Sequence, residues 1–306
     1  MSPWLGRKGN IVEFRGTYTV MITPFDGQGR IDVPALRRFT DWQIAQGIRG
    51  LIPLGSTGEF LSLTDDERTL VAETVIGQAA GRVPVFIGTG AENTDDVIRY
   101  SREAESLGAD GVMIIPPFYS TPTEDELFVH YRRVSDAIGL PIMLYNNPAT
   151  ANVDLLPELV ARLGTIDNCR LIKESTMDVT RVRDIIRLCG DRMSVFGGIM
   201  GFESFLEGAV GWVAVASNVA PHAMSQIFAL CDGFRDIGAA REIYRRHVPL
   251  IRFVGGGGYV AGSKALLRHM GFDVGGPRPP RLPLPAAQDA QAFEIVRDLE
   301  LRFVAA

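Results

Sequence analysis

The chain has 306 residues, 46% of them hydrophobic and 22% charged, a composition that suits a globular protein with room for a barrel-sized core. Its net charge of −5 and pI near 5.5 give no electrostatic support for nucleic acid or an anionic membrane as a partner. Cys169, Cys189 and Cys231 stand far apart, with no CxxC or Cys/His cluster, which argues against a disulfide framework and a structural zinc and for a reducing, cytoplasmic setting.

Residues 1–16 show no apolar signal-peptide core and read as a leader. Short apolar runs then alternate with longer amphipathic stretches. The runs are Tyr18–Ile22, Gly50–Leu54, Val83–Ile87, Gly111–Ile115, Pro141–Tyr145, Arg170–Lys173, Met193–Phe196 and Trp212–Ala216. They recur roughly every 20 to 35 residues, the length of a strand plus a crossover helix. The longest nearly apolar run, Ala209–Ala216, is too short to span a bilayer. Between the runs lie helix starts: Asp32 before Pro34, the capping box Thr64 to Glu67, and acid-rich openings at Thr94 and Thr123. Gly47, Gly81, Gly108, Gly139 and Gly190 fall where those helices should close.

Strands that are apolar throughout predict a parallel sheet covered on both faces. Eight of them predict a (β/α)8 TIM barrel over residues 17–221, with a doubly wound open sheet as the alternative. After it, His222–Arg235, Ile237–Phe253, Ser263–Met270 and Ala286–Val304 have helical patterns, with a Pro-rich connector at Gly275–Pro285. Residues 222–306 are therefore expected to form a C-terminal helical extension.

In such a barrel the chemistry sits where strands end. The run through Leu171 and Ile172 ends on Lys173. A lysine nucleophile must be unprotonated, and lowering a lysine pKa from about 10.4 to about 7.5 takes about 4 kcal/mol of disfavoured charge, which an apolar shell can supply. The alternatives are a lysine reaching out to solvent or paired with Glu174. After the second run comes Gly55-Ser56-Thr57-Gly58-Glu59, whose hydroxyls and close backbone suit a small carboxylate or simply cap a turn. No Gly-Lys-Ser/Thr follows, and Gly88 to Asn93 lacks the third glycine of a dinucleotide fingerprint. Tyr119 and Tyr145 stand at two further strand ends, where a phenol can move protons or pack. The four histidines lie in helical stretches, and Lys264, a rival amine, lies in a helical pattern beyond the Gly-rich 255–258 segment.

Taken together, Gly55-Ser56-Thr57-Gly58-Glu59, Tyr145-Asn146-Asn147-Pro148 and Ile172-Lys173-Glu174-Ser175-Thr176 resemble the dihydrodipicolinate synthase / N-acetylneuraminate lyase superfamily, from about Gly16 to past residue 270. The resemblance implies a (β/α)8 barrel with C-terminal helices, usually a homotetramer built from dimers, and class I lyase chemistry without metal or organic cofactor. By it, Lys173 forms the Schiff base with pyruvate or another small 2-oxo acid. Ser56 and Thr57 hold the acid's carboxylate. Tyr145 is the proton shuttle, linked through Thr57 to Tyr119 of a neighbouring subunit, and Gly198 and Val213 line the lysine pocket. Thr150 stands where synthases of lysine biosynthesis carry an arginine for the second substrate's carboxylate. Ile199-Met200 replaces an acidic pair, and Phe60, Leu61, Asp65 and Arg68 occupy the feedback positions. These departures weigh against lysine biosynthesis, and the run Tyr145-Asn146-Asn147-Pro148-Ala149-Thr150 with the Gly-rich 255–258 segment resembles catabolic members, such as a hydroxyproline-derived imine deaminase or a sugar-acid aldolase/dehydratase. A 4-hydroxy-tetrahydrodipicolinate synthase, a non-catalytic 2-oxo acid binding protein and an unrelated phosphate-binding barrel are the alternatives. Thr150, Met200, Val215, Ala216 and Asn218 are expected to shape the far end of the pocket.

Overall fold

The computed structural model describes residues 4–5, 11–256 and 258–304. Eight strands carry the fold: β1 (Gly16–Val20), β2 (Gly50–Ile52), β3 (Phe86–Gly88), β4 (Gly111–Ile114), β5 (Ile142–Asn146), β6 (Cys169–Glu174), β7 (Ser194–Gly197) and β8 (Gly211–Ala214). They form one sheet in the order β2-β1-β8-β7-β6-β5-β4-β3. The β1/β2 pair and every pair from β3 to β8 are parallel. The architecture is a nearly closed (β/α)8 barrel with C-terminal helices, so the open-sheet alternative falls away. Each expected apolar run overlaps one strand. Within the strands only Arg170 and Ser194 are even partly exposed, because helices cover one face and the interior the other.

The helices follow in alternation: α1 (Val33–Ala45), α2 (Asp65–Ala79), α3 (Thr94–Leu107), α4 (Glu124–Ala137), α5 (Pro157–Leu163), α6 (Thr180–Cys189), α7 (Gly201–Leu206) and α8 (Pro221–Cys231). Since α8 completes the eighth strand–helix unit, the helices outside the alternation are α9 (Ile237–Gly255), α10 (Tyr259–His269) and α11 (Ala286–Asp298). The expected boundary at residue 222 thus falls inside α8. Capping boxes at Thr64 and Thr123 start α2 and α4. In α3 the cap is Asn93, one residue before the expected Thr94, because its side chain accepts from the Asp96 amide at 2.8 Å. Within residues 1–16, expected to be a leader, Trp4–Leu5 pairs antiparallel with Ile11–Val12, while the rest of residues 1–10, like residue 257 of the Gly-rich segment, lies outside the described residues.

The chain divides into two compact units, one of the residues up to Gly16 with Pro84–Val213, the other of Thr17–Val83 with Ala214–Ala306. The second unit ties its early and late segments together by aromatic packing. Phe303 stacks on Phe272 at 3.9 Å between centroids and meets Trp42 of α1 at 5.0 Å. Among the described residues no helix is long and apolar enough to cross a membrane.

In the first unit α4 buries His130, 5% exposed, with Nδ1 3.0 Å from Thr94 Oγ1. Burial, with a smaller push from Arg133, lowers its pKa from 6.5 to about 4. The folded state keeps the ring neutral while the unfolded chain protonates below 6.5. This stability is therefore complete above pH 6.5 and lost as pH falls toward 4. The loss is up to about 3 kcal/mol. A His130→Asn variant should show a shallower fall in Tm between pH 6.5 and 4 than the parent; equal slopes would assign the acid sensitivity elsewhere.

Candidate active site

The site in the first unit begins with a register shift. Ile142 of β5 faces Cys169 of β6, but Met143 faces Leu171, so one residue of β6 is passed over. Without the shift Tyr145 would stand opposite Ile172; with it, Tyr145 stands opposite Lys173. Side chains alternate faces along a strand, so the shift puts phenol and amine on one face. Lys173 Nζ lies 3.9 Å from the Tyr145 ring centroid. The two residues are 5% and 6% exposed, so the amine is enclosed and not reaching out to solvent. On its other side Lys173 pairs in register with Phe196 of β7, a second apolar wall.

Glu174 is not the partner of Lys173. It points to the opposite face, where Asn146 Nδ2 donates to its Oε2 at 2.9 Å and the Thr176 amide to its Oε1 at 2.8 Å. Burial raises its pKa, against those hydrogen bonds and Arg181. Arg181 itself forms a forked pair with Asp154 at 2.5 and 2.8 Å. The charges beside β6 are thus neutralised away from Lys173.

Gly198 follows β7 with its amide on the Glu174 carbonyl at 2.7 Å and its own carbonyl held by Trp212 Nε1 at 2.7 Å. A Cβ there would sit 1.9 Å from Ser175 Oγ and 2.8 Å from its Cα, so only glycine fits. Val213 lies in β8 and is 1% exposed. Thr150 is exposed in the turn after β5, where its amide and hydroxyl both donate to the Asn147 carbonyl, at 3.0 and 3.3 Å. Asn147 also donates from Nδ2 to Tyr145 Oη at 2.9 Å, a link that the spacing of residue types does not announce. Tyr119 is 85% exposed, yet its backbone is pinned: the amides of Phe118, Tyr119 and Ser120 donate to Glu92 at 2.9–3.0 Å, and Asn152 donates to the Tyr119 carbonyl at 2.7 Å.

In the second unit Ser56 and Thr57 form a 3-10 turn, Ser56–Gly58, after β2. Leu54 and Glu59 bracket it with positive φ of 61° and 58°, a costly backbone for non-glycine residues. Thr57 is 2% exposed, and Thr23 Oγ1 donates to the Gly58 carbonyl at 2.8 Å. Asn218 closes the 3-10 turn Ala216–Asn218 after β8. It is fully buried, its Oδ1 accepts from the Ile22 amide, and its Nδ2 donates to the carbonyls of Val20 and Val215, so it braces β1. Among the described residues no group of three or more His, Cys, Asp or Glu is placed to hold a metal ion.

Lys264 is as buried as Lys173 but committed. Its Nζ is 2.7 Å from Glu59 Oε1 as a charge contact, directs a hydrogen bond to the Gly276 carbonyl at 3.0 Å and lies 4.1 Å from the Phe25 ring centroid. Burial lowers its pKa to about 8 against the pull of Glu59. The Arg278 amide donates to the other Glu59 oxygen at 2.8 Å. Glu59 thereby ties the Ser56–Thr57 turn to α10 and the connector behind it. Lys264→Met should destabilise the fold by about 3–5 kcal/mol in urea titration by stranding a buried carboxylate. Adding Glu59→Gln should return most of that loss; a single variant as stable as the parent would show the pair to be idle.

Residues 13–299 match the model of the dihydrodipicolinate synthetase family. A 4-hydroxy-tetrahydrodipicolinate synthase of Syntrophobacter fumaroxidans is 38% identical over 239 residues, 78% of this chain and 81% of that one. Another, from Trichlorobacter lovleyi, is 34% identical over 94% of this chain and 99% of its own length. The solved structure of the chloride-inhibited dihydrodipicolinate synthase of Acinetobacter baumannii, complexed with pyruvate, superposes with a TM-score of 0.91 at 31% identity, covering 94% of this chain and all of that one. The chain belongs to the dihydrodipicolinate synthetase family, whose members are Schiff-base-forming lyases of the class I aldolase type.

Proposed function

We propose that the protein forms a Schiff base between Lys173 and pyruvate or a related small 2-oxo acid, and that it serves a catabolic reaction in the cytoplasm. The observation that carries this is the in-register pairing of Lys173 with Tyr145, with the amine enclosed 3.9 Å from the phenol ring. The pyruvate held by the Acinetobacter baumannii relative supports the substrate class. The three free, buried cysteines support the reducing compartment.

In this mechanism the neutral Lys173 amine adds to the C2 carbonyl. The carbinolamine takes a proton on its hydroxyl and loses water, leaving a protonated imine. That imine draws electrons from C3, so a proton or a carbon substituent on C3 departs without its electron pair. Tyr145 passes the protons on and off the carbinolamine and then serves the bond-breaking step. Ser56 and Thr57 take the carboxylate of the acid, and Gly198 and Val213 wall the lysine pocket. Tyr119, fully presented on a pinned backbone, acts in a neighbouring subunit of a homotetramer.

The relatives' name favours a second reading, condensation in lysine biosynthesis. Thr150, exposed and neutral where that reaction calls on an arginine, weighs against it. A hydroxyproline-derived imine or a deoxy sugar acid fits better.

Borohydride reduction with pyruvate, read by intact mass, should give a single adduct that vanishes in Lys173→Ala; an adduct that persists there removes Lys173 from the chemistry. A panel of aspartate semialdehyde, pyrroline hydroxycarboxylate, sialic acid and deoxy sugar acids should turn over the hydroxylated catabolic acids and not the semialdehyde. Ready condensation with the semialdehyde would restore the biosynthetic role.

A further inference from the structure

Gly88 to Asn93, which no dinucleotide claims, has a use in the first unit. β3 ends at Gly88, and the Thr89 amide donates to the Met113 carbonyl of β4 at 3.1 Å. A Cβ on Gly90 would sit 2.7 Å from Ile115 Cγ2 and 3.3 Å from the Ile115 amide nitrogen, so glycine lets this loop lie against the end of β4. Asn93 caps α3 and fixes the backbone just beyond Glu92. Glu92 is thereby set against the segment that follows β4. Its carboxylate takes three successive amides there: Phe118 and Tyr119 on Oε2, each at 3.0 Å, and Ser120 on Oε1 at 2.9 Å.

The grip centres on Tyr119. Asn152, from the loop after β5, donates to the Tyr119 carbonyl at 2.7 Å, so side chains of two other loops hold this residue on both sides of its Cα. Pro116, Pro117 and Pro122 flank the segment and narrow its backbone freedom further. The ring itself is 85% exposed and has no hydrogen-bond or ring partner among the described residues. Its direction is therefore set through the backbone. Burial works to raise the Glu92 pKa, but hydrogen bonds from Ser120 and from the three amides outweigh it and hold the carboxyl below its usual value. The acceptor is thus a full carboxylate. Ordering an exposed ring costs entropy that the isolated chain does not recover.

We infer that Glu92 is the positioning residue for Tyr119, its carboxylate holding the loop so that the phenol reaches the Lys173 site of a neighbouring subunit, with Asn152 as the second grip. The inference rests on the reading of Tyr119 given above. Glu92 does no chemistry and touches no substrate; it sits in one subunit and is felt in the next. A glutamine there keeps the shape but turns an NH2 toward groups that are themselves donors, so part of the triple bond set is lost. Tyr119 then spends less of its time in the competent direction, and the rate falls with that fraction.

The test follows deuterium exchange into the methyl group of saturating pyruvate in D2O by proton NMR, which needs the lysine imine and the proton shuttle but no second substrate. Tyr119→Phe and Glu92→Gln should each slow exchange by about tenfold or more, the scale of a small misplacement. The double variant should be no slower than Tyr119→Phe alone. Each single variant is then co-expressed with Lys173→Ala. The Lys173→Ala chain lacks the amine but presents its own Tyr119 correctly. Exchange per Lys173-bearing chain should therefore return to about half the parent rate, the share that random two-fold pairing gives an intact neighbour. A local structural role for Glu92 would not be cured by a partner chain that lacks the amine. Where Glu92→Gln fails to assemble like the parent in sedimentation, Asn152→Ala takes its place under the same criteria. No exchange in the parent removes the Schiff-base reading, and everything here with it. If Tyr119→Phe is unimpaired, or is not restored by the Lys173→Ala partner, the reading of Tyr119 fails. If Tyr119→Phe is slowed and restored, Tyr119 stands; Glu92→Gln exchanging at the parent rate, staying slow beside the partner, or adding to Tyr119→Phe in the double variant would then refute the role of Glu92.

Discussion

The one-residue shift between Ile142 and Met143 decides which side chain of β6 shares a face with Tyr145. Along an unshifted ladder the apolar Ile172 would occupy that place, and the amine would emerge among the covering helices. The regular ladder between β6 and β7 then puts Phe196 beside Lys173. Amine and phenol thus share a face through one irregularity in backbone pairing, and no local motif could bring them together without it.

Charge is handled by the same alternation. Residues of opposite parity on β5 and β6, Asn146 and Glu174, carry the carboxylate network to Arg181 and Asp154. Residues of like parity carry the amine and neutral polar groups. In the second unit the Lys264–Glu59 pair anchors the hydroxyl-bearing turn from behind. A buried ion pair contributes modestly to net stability, and its use here is positional: Glu59 must keep a left-handed backbone just after the Ser56–Gly58 turn, and two partners hold it there.

The barrel was legible because its strands are short, apolar and separated by capped helices, a pattern local to each stretch. Lys173 and Tyr145 were legible for the same reason, standing where apolar runs end. Lys264 shows in the sequence only as a rival amine in a helical pattern; its tie to Glu59 joins residues about two hundred positions apart, and no window of sequence contains both. Pairing of Lys173 with Glu174 looked plausible because they are neighbours in sequence, and neighbours on a strand face opposite ways. Asn147 was visible as a letter in a motif but not as the group holding the phenol. The bracing of β1 by the Asn218 amide was not legible either, because it joins residues about two hundred positions apart.

The stacking of Phe303 on Phe272 and its contact with Trp42 also bear on how the chain folds. Trp42 is 3% exposed in the finished molecule, and one of the rings that covers it stands about 260 positions further along the chain. The indole therefore waits, with its apolar surface open, until that distant segment has docked. Closure of this aromatic stack is a late, long-range step, and a chain with the ring of Phe303 removed would keep a greasy, unsealed flank.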